Sequence, residues 1–290
     1  MTVTDVNVVK SAIFERPDDA NKGTLGSLLC VCGSYGMAGA AVMSAKGALR
    51  TGIGLAKCAL PRSIYPIVAQ TILESVYYPL SENADGRISK VNVPFLVSES
   101  CKSSATLVGC GLGVCDDTLK IVFSFIENST TPLVLDADAL NCVAKQPEIL
   151  LRKKAPIIIT PHPGEMSRLT GLATPLVNAE RERVALDFAQ KYGVVTVLKG
   201  AGTVIASPNG KVLVNPTGNS GMATGGSGDV LTGIIAGLAA QGISVQEAAL
   251  AGVYMHGLAG DLASKGIIGM AAGEISQYLP QARRIIEQGE

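Results

Sequence analysis

Short apolar runs alternate with longer amphipathic stretches along most of the chain. The runs are SLLCVCG (27–33), LAKCAL (55–60), SVYYPL (75–80), ATLVGCG (105–111), PLVLDAD (132–138), PIIITPH (156–162) and VVTVLKG (194–200). Between most of them lie helix-like segments such as AAVMSAKGALRTG, DDTLKIVFSFIENS and AERERVALDFAQKYG. Runs that are apolar throughout suit strands buried on both faces. The rhythm predicts a three-layer α/β/α fold around a mostly parallel sheet. After Lys199 it changes. TVIAS and KVLVN flank Pro208-Asn209-Gly210, a turn signal, so residues 203–215 are expected to form a β-hairpin. Residues 1–22 carry no strong pattern and read as a lead-in helix and loop. Three helices are expected to finish the chain, with breaks near Gly242, Gly266 and Pro280. No linker, repeat or low-complexity segment interrupts the pattern, so residues 1–290 are expected to form a single domain.

In open parallel sheets ligands collect beyond the carboxyl ends of the strands. Glycines within 33–39 and 109–113, Asp136 and Asp138, residues 162–165 and residues 199–203 each follow an expected strand. GSYGMAGA (33–40) spaces its glycines as G-x-x-G-x-x-G, not as the dinucleotide fingerprint, and no acidic residue ends the next strand. A Rossmann cofactor site is therefore disfavoured. Asp136 and Asp138, two residues apart at a strand end, are expected to face the same way. Capping the helix at Ala139 is the favoured reading for Asp138; Asp136 stays open between capping and organising a magnesium ion. His256, inside AALAGVYMHGLAGDLA, reads as structural.

The chemistry is densest in NPTGNSGMATGGSGDVLTGIIAGLAAQ (215–241). A loop rich in Pro, Gly, Asn and Ser runs into an apolar helix starting near Ser227 or Asp229. The first N–H groups of a helix lack partners, and the macrodipole adds partial positive charge there. Gly225, Gly226 and Gly228 let a phosphate approach this backbone closely. Asp229 stands at the same helix start. Alone it reads as an N-cap. Beside an anion hole it is also suited to take a proton from a hydroxyl while the donors hold the phosphoryl group that the hydroxyl attacks.

Charge and cysteine usage narrow the classes. The 24 basic and 24 acidic residues balance, which gives no electrostatic case for nucleic acid or a membrane surface as partner. With 47% hydrophobic and 17% charged residues, the chain has material for a large core and for a subunit interface. Asp5, Lys10, Glu15 and Arg16 interrupt the N-terminus where a secretory signal would need an apolar run, and no run approaches the roughly 20 residues of a membrane span. Of the seven cysteines, Cys30 and Cys32 sit on one face of an expected strand, and the two histidines offer no zinc-spaced pair. A reducing cytoplasm fits this usage.

GGSGD (225–229) resembles the Gly-Gly-x-Gly-Asp signature of the ribokinase-like superfamily. Together with VCGSYGMAGAAVMSAKGALRTGIG (31–54), VLDADALN (134–141), TPHPGEMSRLTG (160–171), VLKGAGTVI (197–205) and NPTGN (215–219), it is similar in order and spacing to one branch, the ADP/ATP-dependent NAD(P)H-hydrate dehydratases. The resemblance covers nearly the whole chain from about residue 20. It implies that Ala40, Ala41, Gly111, Gly113, His162 and Asp229, with Gly39 bordering, contact hydrated NADH or NADPH. It places the AMP moiety of ADP or ATP along Lys199, Gly200, Ala201, Gly202 and Thr203 and against Gly228, with N–H groups near Gly226, Ser227 and Gly228 stabilising the phosphoryl in transfer. For Gly111 and Gly113 simple loop geometry is an equal reading. Superfamily kinases carry Asn-x-x-Glu where this chain has His162 and Glu165, which implies Mg2+ held by Glu165 through water. Relatives usually have Pro where this chain has Cys110.

The implied reaction is dehydration of (6S)-NADHX or (6S)-NADPHX. Asp229 takes the proton of the C6 hydroxyl, which attacks the terminal phosphoryl of the donor, and phosphate then leaves. ADP is the favoured donor and ATP the alternative; the family likeness also suggests a homotetramer. A kinase of the hydroxymethylpyrimidine or hydroxyethylthiazole type would share Asp229 but release a stable phosphorylated product. His162 in place of Asn, and NPTGN before GGSGD, argue against it. A nucleotide-sensing module without turnover would have no need of the base.

Overall fold

Each apolar run of the sequence becomes a strand. The computed structural model describes residues 2–13, 17–264 and 268–289. Glu15, Arg16 and Gly266, which entered the sequence reading, lie outside the described residues. The chain opens with α1 (Val6–Ala12), β1 (Ser27–Val31), α2 (Ala38–Leu49), β2 (Leu55–Pro61), α3 (Tyr65–Thr71) and β3 (Val76–Leu80). It continues through α4 (Val93–Cys101), β4 (Ala105–Val108), α5 (Asp116–Asn128), β5 (Leu133–Leu135), α6 (Asp138–Val143) and β6 (Ile157–Ile159). Then come α7 (Pro163–Thr170), α8 (Thr174–Ala179), α9 (Arg181–Tyr192), β7 (Val195–Leu198), β8 (Val204–Ala206) and β9 (Val212–Val214). Last are α10 (Ser227–Ala240), α11 (Val245–Ser264) and α12 (Ala272–Gln288). Among the described residues no helix is long and apolar enough to cross a membrane.

The strands form one nine-stranded sheet in the order β3-β2-β1-β4-β5-β6-β7-β8-β9. Pairing is parallel from β3 across to β7 and antiparallel through β8 and β9. The expected hairpin is thus present, and Gly210 takes φ 95° in its turn, a conformation that suits glycine. Because successive side chains of a strand point to opposite faces, the apolar runs fill two cores at once. Leu28 and Cys30 pack with α2, α10, α11 and α12, whereas Leu29 and Val31 pack with α4, α5, α6 and α9. This is the three-layer α/β/α arrangement of ribokinase-like proteins. β1 lies between β2 and β4, so the chain winds outward from it in both directions, with helices on opposite faces. The sheet therefore has its topological switch point between β1 and β4, where ligands of open α/β sheets bind at the carboxyl rim.

Two helices whose N-termini lie at that rim, α2 and α10, touch backbone to backbone. A Cβ added to Gly233 would stand 2.0 Å from the Ser44 carbonyl oxygen, and one on Gly47 2.5 Å from that of Val230. Gly233→Ala is therefore expected to cost about 2–3 kcal/mol, the upper part of the overpacking range, as a lower urea midpoint. An unchanged midpoint would mean that the helices separate freely.

Pro280 does not break the last helix. It lies inside α12, exposed, while Ile275, Leu279, Ala282 and Ile286 bury the opposite stripe. The lost backbone donor falls on the watered side, and packing of the apolar stripe carries the helix through it. The lead-in helix α1 caps with Asp5, and residue Val3 bridges Val214 beside β9.

Candidate active site

Loops that follow β1, β4, β5, β6 and β7 meet the first turn of α10. The Gly33 N–H donates to the Cys110 carbonyl at 2.8 Å, which ties the first two loops together. Gly111, at φ 66°, lies against the start of α2: a Cβ there would stand 2.8 Å from that of Ala40. Ala40 and Ala41 are buried in the first turn of α2. The Gly113 N–H donates to Asp138 Oδ2 at 2.8 Å. Gly111 thus adjoins Ala40 and Gly33 adjoins Ala41, whereas Gly113 lies against Arg87 and Asp138.

The two aspartates do not face the same way. β5 stops at Leu135, and Ala137 takes φ 50° and ψ −116°, which turns the chain between them. A positive φ at a residue with a Cβ costs about 1–3 kcal/mol and persists only where surrounding contacts hold it. Asp136 supplies such contacts. It is 1% exposed and accepts from Lys199 Nζ at 2.7 Å and from Thr232 Oγ1 at 2.6 Å. Asp138 opens α6 without capping it; Ala137 holds the N-cap position with no side-chain bond, and the Asp138 carboxylate is committed to Gly113.

Lys199 is no surface lysine. Its Nζ also lies 3.9 Å from Glu165 Oε2, and its side chain is 17% exposed. Burial works against the ammonium, but Asp136 and Glu165 outweigh burial and hold its pKa above the ordinary value. A Cβ on Gly228 would stand 3.4 Å from this nitrogen, so the charge abuts the first turn of α10. Downstream, Gly200, Ala201 and Gly202 are exposed, and Thr203 turns inward to donate to the Gly200 carbonyl at 3.0 Å. Arg181 supports this segment from beneath, donating to the carbonyls of Leu198 (2.9 Å) and Gly202 (3.3 Å). A groove of about 630 Å³ lined by Arg181, Ala201, Gly202, Val204 and Val214 adjoins it.

His162 and Glu165 form a reciprocal cap at the start of α7. His162 Nδ1 accepts from the N–H groups of Gly164 (3.0 Å) and Glu165 (3.3 Å), while Glu165 Oε2 accepts from the His162 N–H at 2.8 Å. The histidine ring remains half exposed at the rim, with Nε2 3.4 Å from Glu165 Oε1. Burial, then the charge of Asp136, pushes the Glu165 carboxyl up to about 7. Glu165 is the residue here that fits a magnesium ion. It offers an oxygen with no N–H donor closer than that ring, and a divalent cation would favour the anionic form that burial disfavours.

The N-cap of α10 is Gly226, left-handed at φ 92°, so Asp229 is not a cap but the third residue of the helix. Among the described residues no acceptor takes up the N–H groups of Gly226, Gly228 or Asp229. His256 braces this turn from α11: its Nε2 lies 3.0 Å from the Ser227 carbonyl, to which the neutral ring donates. Burial lowers its pKa to about 4, which keeps the ring neutral. Burial, then the Asp136 charge, raises the Asp229 carboxyl to about 6. A carboxyl poised near neutrality therefore stands close to Cys110 and Asp136, in the helix turn that abuts the Lys199 ammonium, beside unfilled donors. Such a group can accept a proton from a hydroxyl while the donors and the ammonium hold an anion.

Sequence reasoning missed Thr232, Cys110 and Arg181 and left the partner of Asp136 undecided. Cys110 Sγ and carboxylate oxygens of Asp136 and Asp229 all lie within 4.8 Å of one another. Thr232 is 96 residues from Asp136 in sequence, and no spacing rule relates them.

The profile of the NAD(P)H-hydrate dehydratase family matches residues 28–281. The chain is 40% identical over 281 residues to a bifunctional NAD(P)H-hydrate repair enzyme of Moorella thermoacetica, covering 96% of this chain and 53% of that protein. It is 38% identical over 274 residues to the ADP-dependent (S)-NAD(P)H-hydrate dehydratase of Neisseria meningitidis serogroup B, covering 92% of this chain and 87% of that one. The fold superposes on the ADP/ATP-dependent NAD(P)H-hydrate dehydratase of Bacillus subtilis, co-crystallised with ATP and Mg2+, with a TM-score of 0.84, 31% identity and 99% of each chain covered. The chain spans about half the length of the bifunctional relatives that it matches.

Proposed function

This chain belongs to the NAD(P)H-hydrate dehydratase family, and we propose that it dehydrates (6S)-NADHX and (6S)-NADPHX to NADH and NADPH with ADP as phosphoryl donor and ATP as the alternative. The observation that carries the reading is the position of Asp229: a carboxyl raised to about 6, in the first turn of α10, beside N–H groups that no described residue fills.

Ala40, Ala41, Gly111, Gly113 and His162 would border the hydrated nicotinamide nucleotide. Lys199, Gly200, Ala201, Gly202 and Thr203, with Gly226, Ser227 and Gly228, would hold the donor. Asp229 would take the proton of the C6 hydroxyl as that oxygen bonds to the terminal phosphorus and the bond to the leaving AMP breaks. The N–H groups at the helix start and the Lys199 ammonium would stabilise the charge on the phosphoryl oxygens. The ring nitrogen lone pair then expels phosphate from C6, and loss of the C5 proton restores the double bond. The sum is NADHX and ADP to NADH, AMP, phosphate and a proton. Glu165 would hold Mg2+, which would supply neutralising charge to the donor's oxygens. A single domain, a homotetramer and a cytoplasmic setting complete the proposal; the contiguous sheet supports the first and the seven free cysteines the last.

The test is to incubate the protein with hydrated NADH, Mg2+ and each donor in turn, following the absorbance of regenerated dihydronicotinamide. No recovery with either donor would remove the reading. A stable phosphorylated hydroxymethylpyrimidine or hydroxyethylthiazole would favour the kinase instead. Because the base acts deprotonated, kcat/KM is expected to rise with pH through about 6. A profile flat from pH 5 to 8 would take that carboxyl out of the rate.

A further inference from the structure

We propose that Arg181 is a positioning residue for the phosphoryl donor: its guanidinium clasps both ends of the turn between β7 and β8 and so keeps the N–H groups of that turn free for the nucleotide. The proposal rests on the reading of residues 199–203 as the donor's binding segment. β7 ends at Leu198 and pairs there with Val204 at the start of β8, so the chain reverses through residues 199–203. Arg181, the first residue of α9, reaches both sides of this turn. Its Nη2 donates to the Leu198 carbonyl at 2.9 Å and to the Gly202 carbonyl at 3.3 Å. Gly200 makes room for it, since a Cβ there would stand 2.3 Å from Nη1. The Thr203 hydroxyl donates to the Gly200 carbonyl at 3.0 Å. With those three carbonyls drawn to Arg181 and Thr203, the exposed residues Gly200, Ala201 and Gly202 keep N–H groups that no acceptor among the described residues takes up.

Stability does not account for a guanidinium at this place. Burial pushes its pKa down, and among the described residues no carboxylate pairs with it; the adjacent Glu180 binds Arg183 instead. Its Nε is buried without an acceptor. A cation taken from water with a donor left unfilled costs folding free energy. What the cation supplies is a pair of charge-assisted bonds to the turn, which are stronger than neutral ones. A turn held in shape before the nucleotide arrives has less ordering left to do on binding. The groove of about 630 Å³ that Arg181 lines together with Ala201 and Gly202 opens beside the turn. Arg181 thus acts through the turn, not on the phosphoryl group itself.

The experiment compares the full chain as wild type, Arg181→Met and Arg181→Lys. It reads ADP affinity by calorimetry, KM and kcat, and hydrogen exchange at the amides of residues 200–203 without nucleotide. R181M should weaken ADP binding and raise KM for ADP roughly five- to twentyfold, with kcat and KM for hydrated NADH within about twofold of the wild type. The amides of the turn should exchange faster in it. R181K, whose ammonium can still donate to a carbonyl, should recover part of both, so that affinity and protection change together across the three proteins. Unchanged ADP affinity in R181M overturns the proposal. An equal rise in KM for hydrated NADH also overturns it, because the whole site would then have loosened. Lost affinity with the turn as protected as in the wild type overturns it too, since Arg181 would then meet the nucleotide directly. Should the wild type bind ADP without dehydratase turnover, the functional reading falls, while affinity and exchange still decide what Arg181 does.

Discussion

Asp229→Asn is expected to lower kcat about 10²- to 10⁴-fold, the range that a positioned general base contributes, while ADP binds nearly as in the wild type. The side chains are isosteric, so the first turn of α10 and its unfilled N–H groups should be unchanged. What disappears is the ability to accept a proton. The substitution also carries a stability signature. Since burial raises the folded-state pKa of Asp229 to about 6, the protein gains from the protonated carboxyl at low pH and loses that gain as pH rises through this value. Above it, Asp229→Asn should therefore melt no lower than the wild type. Turnover within a few-fold of the wild type would remove Asp229 from the mechanism. A large drop in Tm at pH 8 would instead mean that the charge is structural.

Lys199→Met should be the most damaging single change to stability at the site. It leaves Asp136, 1% exposed, without its ammonium partner, and removing one member of a buried ion pair costs about 3–5 kcal/mol. Adding Asp136→Asn removes the stranded carboxylate and should recover much of that loss in urea unfolding. The double variant should still bind ADP more weakly than the wild type, because the charge beside Gly228 is gone. If the single variant unfolds at the wild-type midpoint, the pair contributes nothing to the fold. If the double variant binds ADP as the wild type does, Lys199 does not touch the donor.

The resemblance between this chain and its relatives is legible because its motifs are local. GGSGD is one turn of backbone entering a helix, and TPHPGE is one strand end with its cap. What those stretches hold could not be read in the same way. Asp138 reads as a cap by position, yet the turn at Ala137 sends it to Gly113 instead. Lys199 follows an expected strand, and only the fold brings it to Asp136, 63 residues away. Cys110 stands out in the sequence only as a departure from the usual Pro, and its nearness to Asp229 arises because β4 and α10 pack together.

Local sequence was enough for the strands, the hairpin, the helix that begins at GGSGD and the residue types that reach the rim. These depend on hydrophobic period, turn chemistry and backbone sterics within a few residues. The tertiary structure alone decided which of those residues face one another: Asp136 with Lys199 and Thr232, His256 with Ser227, and Cys110 beside Asp229. Such contacts join elements that are distant in the chain. Their hydrogen bonds and charges gain strength only once the sheet and its helices have excluded water around them.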